Sequence, residues 1–100
     1  MRKEHYYQDL DLNTPGQVID LLCADLEQAG IVEPEFKEIV RKREEMSPTS
    51  FVNAFAIPHA FGAFAKNSTI AVAQLKNPIK WGGFEVRLVM LFAINEGDRR

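Results

Sequence analysis

Cysteine is almost missing from the 100 residues: Cys23 stands alone. No internal disulfide can form, so a small secreted scaffold held by disulfides is excluded. One thiol also cannot build a cysteine-based zinc site. Long apolar runs are equally scarce. The longest, Leu88–Ile94, has seven residues, far short of the ~20 that span a bilayer. The first twelve residues, MRKEHYYQDLDL, carry charge and aromatics but no apolar signal core. Neither sign of charge dominates: twelve Lys and Arg face fourteen Asp and Glu, a formal net charge of −2. What is abundant is ordinary globular material, with 46% hydrophobic and 26% charged residues, which excludes a disordered or collagenous chain. The expectation is a cytoplasmic protein without membrane insertion, folded as a single domain over 1–100.

Charge is divided unevenly. Residues 1–50 hold six basic and eleven acidic side chains, whereas 51–100 hold six and three. The positive half lacks a Lys/Arg stripe or interleaved aromatics, so direct nucleic-acid binding is not expected. A local positive potential suits an acidic or phosphorylated partner.

Residues 1–12 read as an irregular start with room for a short strand. Thr14-Pro15-Gly16-Gln17 then has the form of a capping box with Pro at the first helical position. Val18, Leu21, Leu22, Leu26 and Ala29 follow at helical spacing, and Gly30 sits where a C-terminal cap belongs. A second helix opens near Pro34, with Phe36, Ile39 and Val40 on one face and a charged end at Arg41–Glu45; Pro48 and polar neighbours break it. The second half reads as strands: Ala54–Pro58, Thr69–Leu75 stopping at Asn77-Pro78, a turn at Trp81-Gly82-Gly83, then Glu85–Ile94. The unbroken apolar run in the last of these predicts a central strand covered on both faces. The fold class is therefore α/β, a mixed β-sheet with flanking helices. Two helices cover one sheet face well and two faces poorly. The sequence thus predicts either cover from another chain or further C-terminal helices, with an apolar patch beside Leu88–Ile94 until they are supplied.

Of the two histidines, His5 lies in the polar N-terminal stretch and reads as a solvated surface residue. His59 follows Pro58, which fixes its own φ and pushes Ile57 towards extended geometry. Its imidazole hangs from a stiff corner at a strand end, where sites on mixed sheets tend to lie; on spacing alone, a loop-entry histidine without a role is the stronger reading. Metal catalysis has little support, because His59 has no second ligand at suitable spacing. Neither a nucleophile elbow nor a glycine-rich phosphate loop is present.

The segment from Arg43 to His59 changes that balance. Arg43-Glu44 ends a helix, Thr49 lies in a polar turn, and Ala56-Ile57-Pro58-His59 comes next. This resembles the enzyme IIA domain of the mannitol/fructose class in the bacterial sugar phosphotransferase system. There a helix-ending Arg-Glu precedes a Ser/Thr-containing turn and an Ala-Ile-Pro-His strand end. Ser68–Val72, Pro78-Ile79 with Trp81-Gly82, and Val86–Ile94 keep the same order, so the resemblance covers roughly residues 14–98. It implies that His59 is the phosphoacceptor, with HPr as donor and an enzyme IIB component or a neighbouring regulatory module downstream. It also implies that Arg43 stabilises the phosphate and that Thr49 offers it a hydroxyl. On the residues alone, Arg43 also reads as a helix-end cation balancing the dipole, and Thr49 as turn chemistry. Phe55, Ile57 and Phe61 read as packing or a docking rim, and Trp81 as a packed lid or edge residue. No cofactor or metal is implied, and a homo-oligomer is left open.

The family usually carries a second histidine downstream and then further helices. Here no histidine comes after His59, so a C-terminally truncated domain is the expectation. Three roles remain open. The first is a phosphohistidine carrier in sugar transport. The second is a regulatory IIA-like domain of a transcription activator or antiterminator, whose phosphorylation signals sugar availability. The third is a non-transferring interaction domain of the same fold. The wording of Ser47–His59 and Pro78–Gly82 lies somewhat closer to the regulators.

Overall fold

A computed structural model describes residues 5–46, 55–60 and 65–95. The elements run β1 (Tyr6–Leu10), α1 (Pro15–Gln28), α2 (Glu35–Met46), β2 (Phe55–Ala56), β3 (His59–Ala60), β4 (Thr69–Trp81) and β5 (Phe84–Ala93). The sheet order is β1-β4-β5-β2, with β3 also on β5. β4 and β5 are antiparallel, while β1 joins β4, and β2 and β3 join β5, in parallel. The mixed sheet with flanking helices is the architecture expected from the sequence.

α1 forms for the reasons legible in its ends. The Thr14 hydroxyl accepts from the Gln17 N–H at 3.2 Å, and the Gln17 side chain returns to the Thr14 N–H, closing the capping box. At the other end Gly30 takes φ 75° and the Ile31 N–H donates to the Leu26 carbonyl at 3.0 Å, a Schellman stop that needs a residue without a Cβ penalty. Between these caps Val18, Ile19, Leu22, Cys23 and Leu26 are buried against the sheet. α2 begins one residue after Pro34, has Glu35 and Glu38 in its first turn and Arg43 in its last, and so complements its own dipole. Its buried row is Phe36, Val40 and Glu44.

β1 occupies the stretch expected to be an irregular start with room for a short strand. It bulges between Tyr7 and Leu10, where Asp9 takes φ 59°, a left-handed conformation that Asp tolerates better than bulky residues. His5, just before it, is not solvated. It is 2% exposed, and its Nδ1 lies 2.7 Å from Asp25 Oδ2 on α1.

The sheet departs from expectation at the end of one strand. β4 does not stop before Asn77-Pro78 but continues to Trp81. Its pairing with β5 shifts between Gln74 and Ile79, and such a bulge admits a proline that a regular ladder rejects. The shift is odd in residue number, so the buried positions of β5 change parity: Val86 on one side of it, Val89, Leu91 and Ala93 on the other. The apolar run of β5 shows the patch expected beside Leu88–Ile94, since among the described residues its second face is only partly covered. Val89, Leu91 and Ala93 sit under the helices with Ala71, Ala73 and Leu75 of β4, whereas Leu88, Met90 and Phe92 are half-buried. Their cross-strand partners Gln74, Val72 and Ile70 share that second face, and Ile70 is 38% exposed. Among the described residues no helix packs there. The hairpin tip is a two-residue loop in which Gly82 has φ 63°, again a value suited to glycine.

Two substitutions report on this architecture through urea unfolding. Thr14→Ala removes the cap and costs about 1 kcal/mol. Leu22→Ala opens a cavity in the fully buried row and costs ~2–5 kcal/mol.

Candidate functional site

β2 and β3 pair with β5 in one continuous register: Ala56 opposite Val89, then His59 opposite Phe92. They form a single edge strand interrupted at Ile57-Pro58. Proline has no N–H to give to the ladder, so the interruption falls where the sequence places it. The Pro58 carbonyl still accepts from the Phe92 N–H at 3.1 Å, and Pro58 is fully buried. The backbone that presents His59 is thereby clamped on both sides. Pro58 is bonded to β5 before it, and Ala60 pairs with Ala93 after it.

α2 lies against β3, and its last turns carry the charged end Arg41–Glu45. Within that end the side chains part company. Arg41 Nη1 lies 3.4 Å from Asp20 Oδ1 of α1, an exposed pair that contributes little. Glu44 is buried, and the Trp81 indole Nε1–H donates to its Oε2. Arg43 is exposed and has no ion pair or hydrogen bond among the described residues. Thr49 and Phe61 lie outside the described residues, and His59 is described through its backbone.

Sequence reasoning missed Glu44 as anything more than half of an Arg-Glu pair, although a signal was present. It falls at i+4 from Val40 and i+8 from Phe36, the spacing of a buried row. Trp81, expected as a packed lid or edge residue, is 1% exposed. It closes the sheet end of a hollow of about 260 Å³ whose walls include Pro15, Gly16, Arg41, Glu44 and Gly82.

Other reactive groups are disarmed. Burial, with help from the Asp20 charge, pushes the Cys23 thiol up to about 12, so it is no nucleophile near neutral pH. Burial first, then a hydrogen bond to Asp25, raises the Tyr7 phenol to about 12. Among the described residues no three His, Cys, Asp or Glu side chains cluster as metal ligands, and no described helix is long and apolar enough to cross a membrane.

The entire sequence, residues 1–100, matches the family described as the phosphoenolpyruvate-dependent sugar phosphotransferase system, EIIA 2. The chain belongs to that family. Among curated relatives of this enzyme IIA-type chain, the transcriptional regulator ManR of Bacillus subtilis is 37% identical over 83 residues, covering 83% of the chain and 13% of ManR. The probable licABCH operon regulator of the same organism is 32% identical over 99% of the chain and 15% of its own length. Multiphosphoryl transfer protein 1 of Escherichia coli is 33% identical over 94% of the chain and 12% of its own length. The chain thus spans about an eighth of the length of these relatives. The fold is that of IIA mannitol from Escherichia coli, with a TM-score of 0.88 at 21% identity over 99% of this chain and 74% of that one. It also matches, at a TM-score of 0.87 and 20% identity, the complex of enzyme IIA mannitol with phosphorylated enzyme IIB from the same organism, over 99% of this chain and 73% of that chain.

The thiol and phenol fix the sign of an alkaline effect. Both pKa values lie above their ordinary 9.0 and 10.0, so the folded chain keeps protons that the unfolded chain releases. The contribution of these two groups does not vary below about pH 9 and becomes unfavourable between about pH 9 and 12. Thermal melting of Cys23→Ala against the parent over that range should show a shallower decline in the variant.

Proposed function

We propose that this domain carries phosphate on His59, accepting it from phospho-HPr. A neutral imidazole nitrogen is a competent nucleophile near pH 7, since its unperturbed pKa is about 6.5. A bond forms from phosphorus to one His59 nitrogen as the N–P bond on the carrier breaks, the electron pair returning to the carrier's ring. The second nitrogen of each ring exchanges its proton with solvent. Such transfers depend on position and on compensation of charge spread over the phosphoryl oxygens. Arg43 supplies a planar fork of donors for those oxygens, and Thr49 a hydroxyl. The observation that carries this reading is the clamped Pro58–His59 backbone, with the Arg43-bearing helix packed against it.

The regulatory setting is the better supported of the contexts. ManR and the licABCH operon regulator are the relatives that favour it. In that setting the cytoplasmic phosphate state of His59 signals sugar availability to a neighbouring module; in a transport setting the group passes to an enzyme IIB component.

The full-length protein, incubated with labelled phosphoenolpyruvate, enzyme I and HPr, should acquire acid-labile, base-stable label that is lost in His59→Ala. Arg43→Ala should fold normally and label roughly tenfold or more slowly, in line with the loss of one charge-stabilising donor. A folded parent that takes no label leaves an interaction domain without transfer.

A further inference from the structure

Glu44 occupies a position in α2 where the buried row calls for an apolar side chain. Phe36, Val40 and Glu44 succeed one another at i+4 steps, and Glu44 is 7% exposed. A buried carboxylate is costly unless hydrogen-bonded, and the Trp81 indole provides a bond from the end of β4. That bond spans 37 residues of sequence and joins the last turn of α2 to the β4–β5 hairpin. A hollow of about 260 Å³ lies alongside the helix end, bounded by Glu44, Trp81 and Arg41. The Arg41–Asp20 pair on the α1 side is exposed and contributes little. Arg43 belongs to the same turn, one residue from Glu44, and has no tether of its own among the described residues.

We infer that the Glu44–Trp81 hydrogen bond is a positioning device for phosphoryl transfer: it sets the rotation and depth of the last turn of α2 so that Arg43 meets the phosphoryl group at His59. This rests on the roles proposed for His59 and Arg43. Glu44 and Trp81 touch neither phosphate nor carrier in this scheme; they act through Arg43. A misplacement of a donor by about 1 Å can cost up to ~100-fold in rate. The loss falls on the transfer step, so the rate at saturating carrier declines while KM for phospho-HPr stays constant.

The test is the rate of His59 phosphorylation by phospho-HPr in the full-length protein. Trp81→Phe removes the indole donor and keeps an aromatic ring; its saturating rate should fall roughly tenfold or more with KM unchanged. Glu44→Gln retains an oxygen that accepts from the indole and should stay within about threefold of the parent, which a need for charge alone would not allow. In an Arg43→Ala background Trp81→Phe should cost nothing further, since coupled residues are non-additive. Should Trp81→Phe fail to fold, the pair Glu44→Leu with Trp81→Phe replaces both partners by apolar groups, a change often near neutral for stability, and the same slow transfer is expected. The inference is overturned if the folded variants transfer at the parental rate, if Glu44→Gln is as slow as Trp81→Phe, or if Trp81→Phe is equally damaging without Arg43. An unlabelled parent protein would instead overturn the reading of His59, and this inference with it.

Discussion

The pairing of a two-residue strand to β5 is the constraint on which the candidate site depends. β3 is short, lies at a sheet edge and comes directly after a proline, and any one of these would ordinarily leave a segment loose. It is held because Pro58 is buried and its carbonyl accepts from Phe92, while β2 and β3 keep one register along β5. The missing proline N–H breaks the ladder for one step and leaves the pairing of His59 and Ala60 intact. Histidine placed immediately after such a break inherits a backbone with little freedom. Part of the ordering cost of the proposed transfer site is then met during folding.

The same economy applies to the helix that faces the strand. The end of α2 divides its charged residues by environment: Arg41 to a solvent-exposed pair, Glu44 inward to an indole, Arg43 outward. Three neighbours of similar polarity thus take three different physical situations, decided by the angle at which each leaves the helix. A core of aliphatic side chains from α1, α2, β4 and β5 supplies the platform. The opposite sheet face, carrying Leu88, Met90 and Phe92, is only half-covered among the described residues.

Much of this architecture is legible in the sequence wherever the signal is local. The Thr14–Gln17 box and the Gly30 stop are short-range features, and the helix they define is present, with its buried row turned towards Ile19 and Cys23 and away from Leu21 and Ala29. The end of β4 is not legible, because Asn77-Pro78 reads as a terminator unless a bulge absorbs it, and a bulge is a property of two strands. The half-covered face of β5 is legible too, because an unbroken apolar run asks for cover on both sides and two helices supply one layer. His5 reads as solvated because its polar neighbours give no hint of Asp25, twenty residues away on α1. At the candidate site, the Pro58–His59 corner can be read from stereochemistry alone. The role proposed for Arg43 comes from the resemblance, and Thr49 lies outside the described residues. Glu44 escapes notice because a carboxylate near a charged helix end is usually solvated, and its tryptophan partner lies on a distant strand.

The most direct measurement is nitrogen-15 NMR of the imidazoles in the full-length protein during phosphorylation by phospho-HPr. Within this domain there are two histidines, and they differ sharply: His5 is buried against Asp25, whereas His59 closes the proline-led corner. If His59 is the acceptor, one of its ring nitrogens shifts and gains coupling to phosphorus while the His5 resonances stay in place. Phosphorus coupled to His5, or to neither ring in a folded protein that has taken up phosphate, would contradict it.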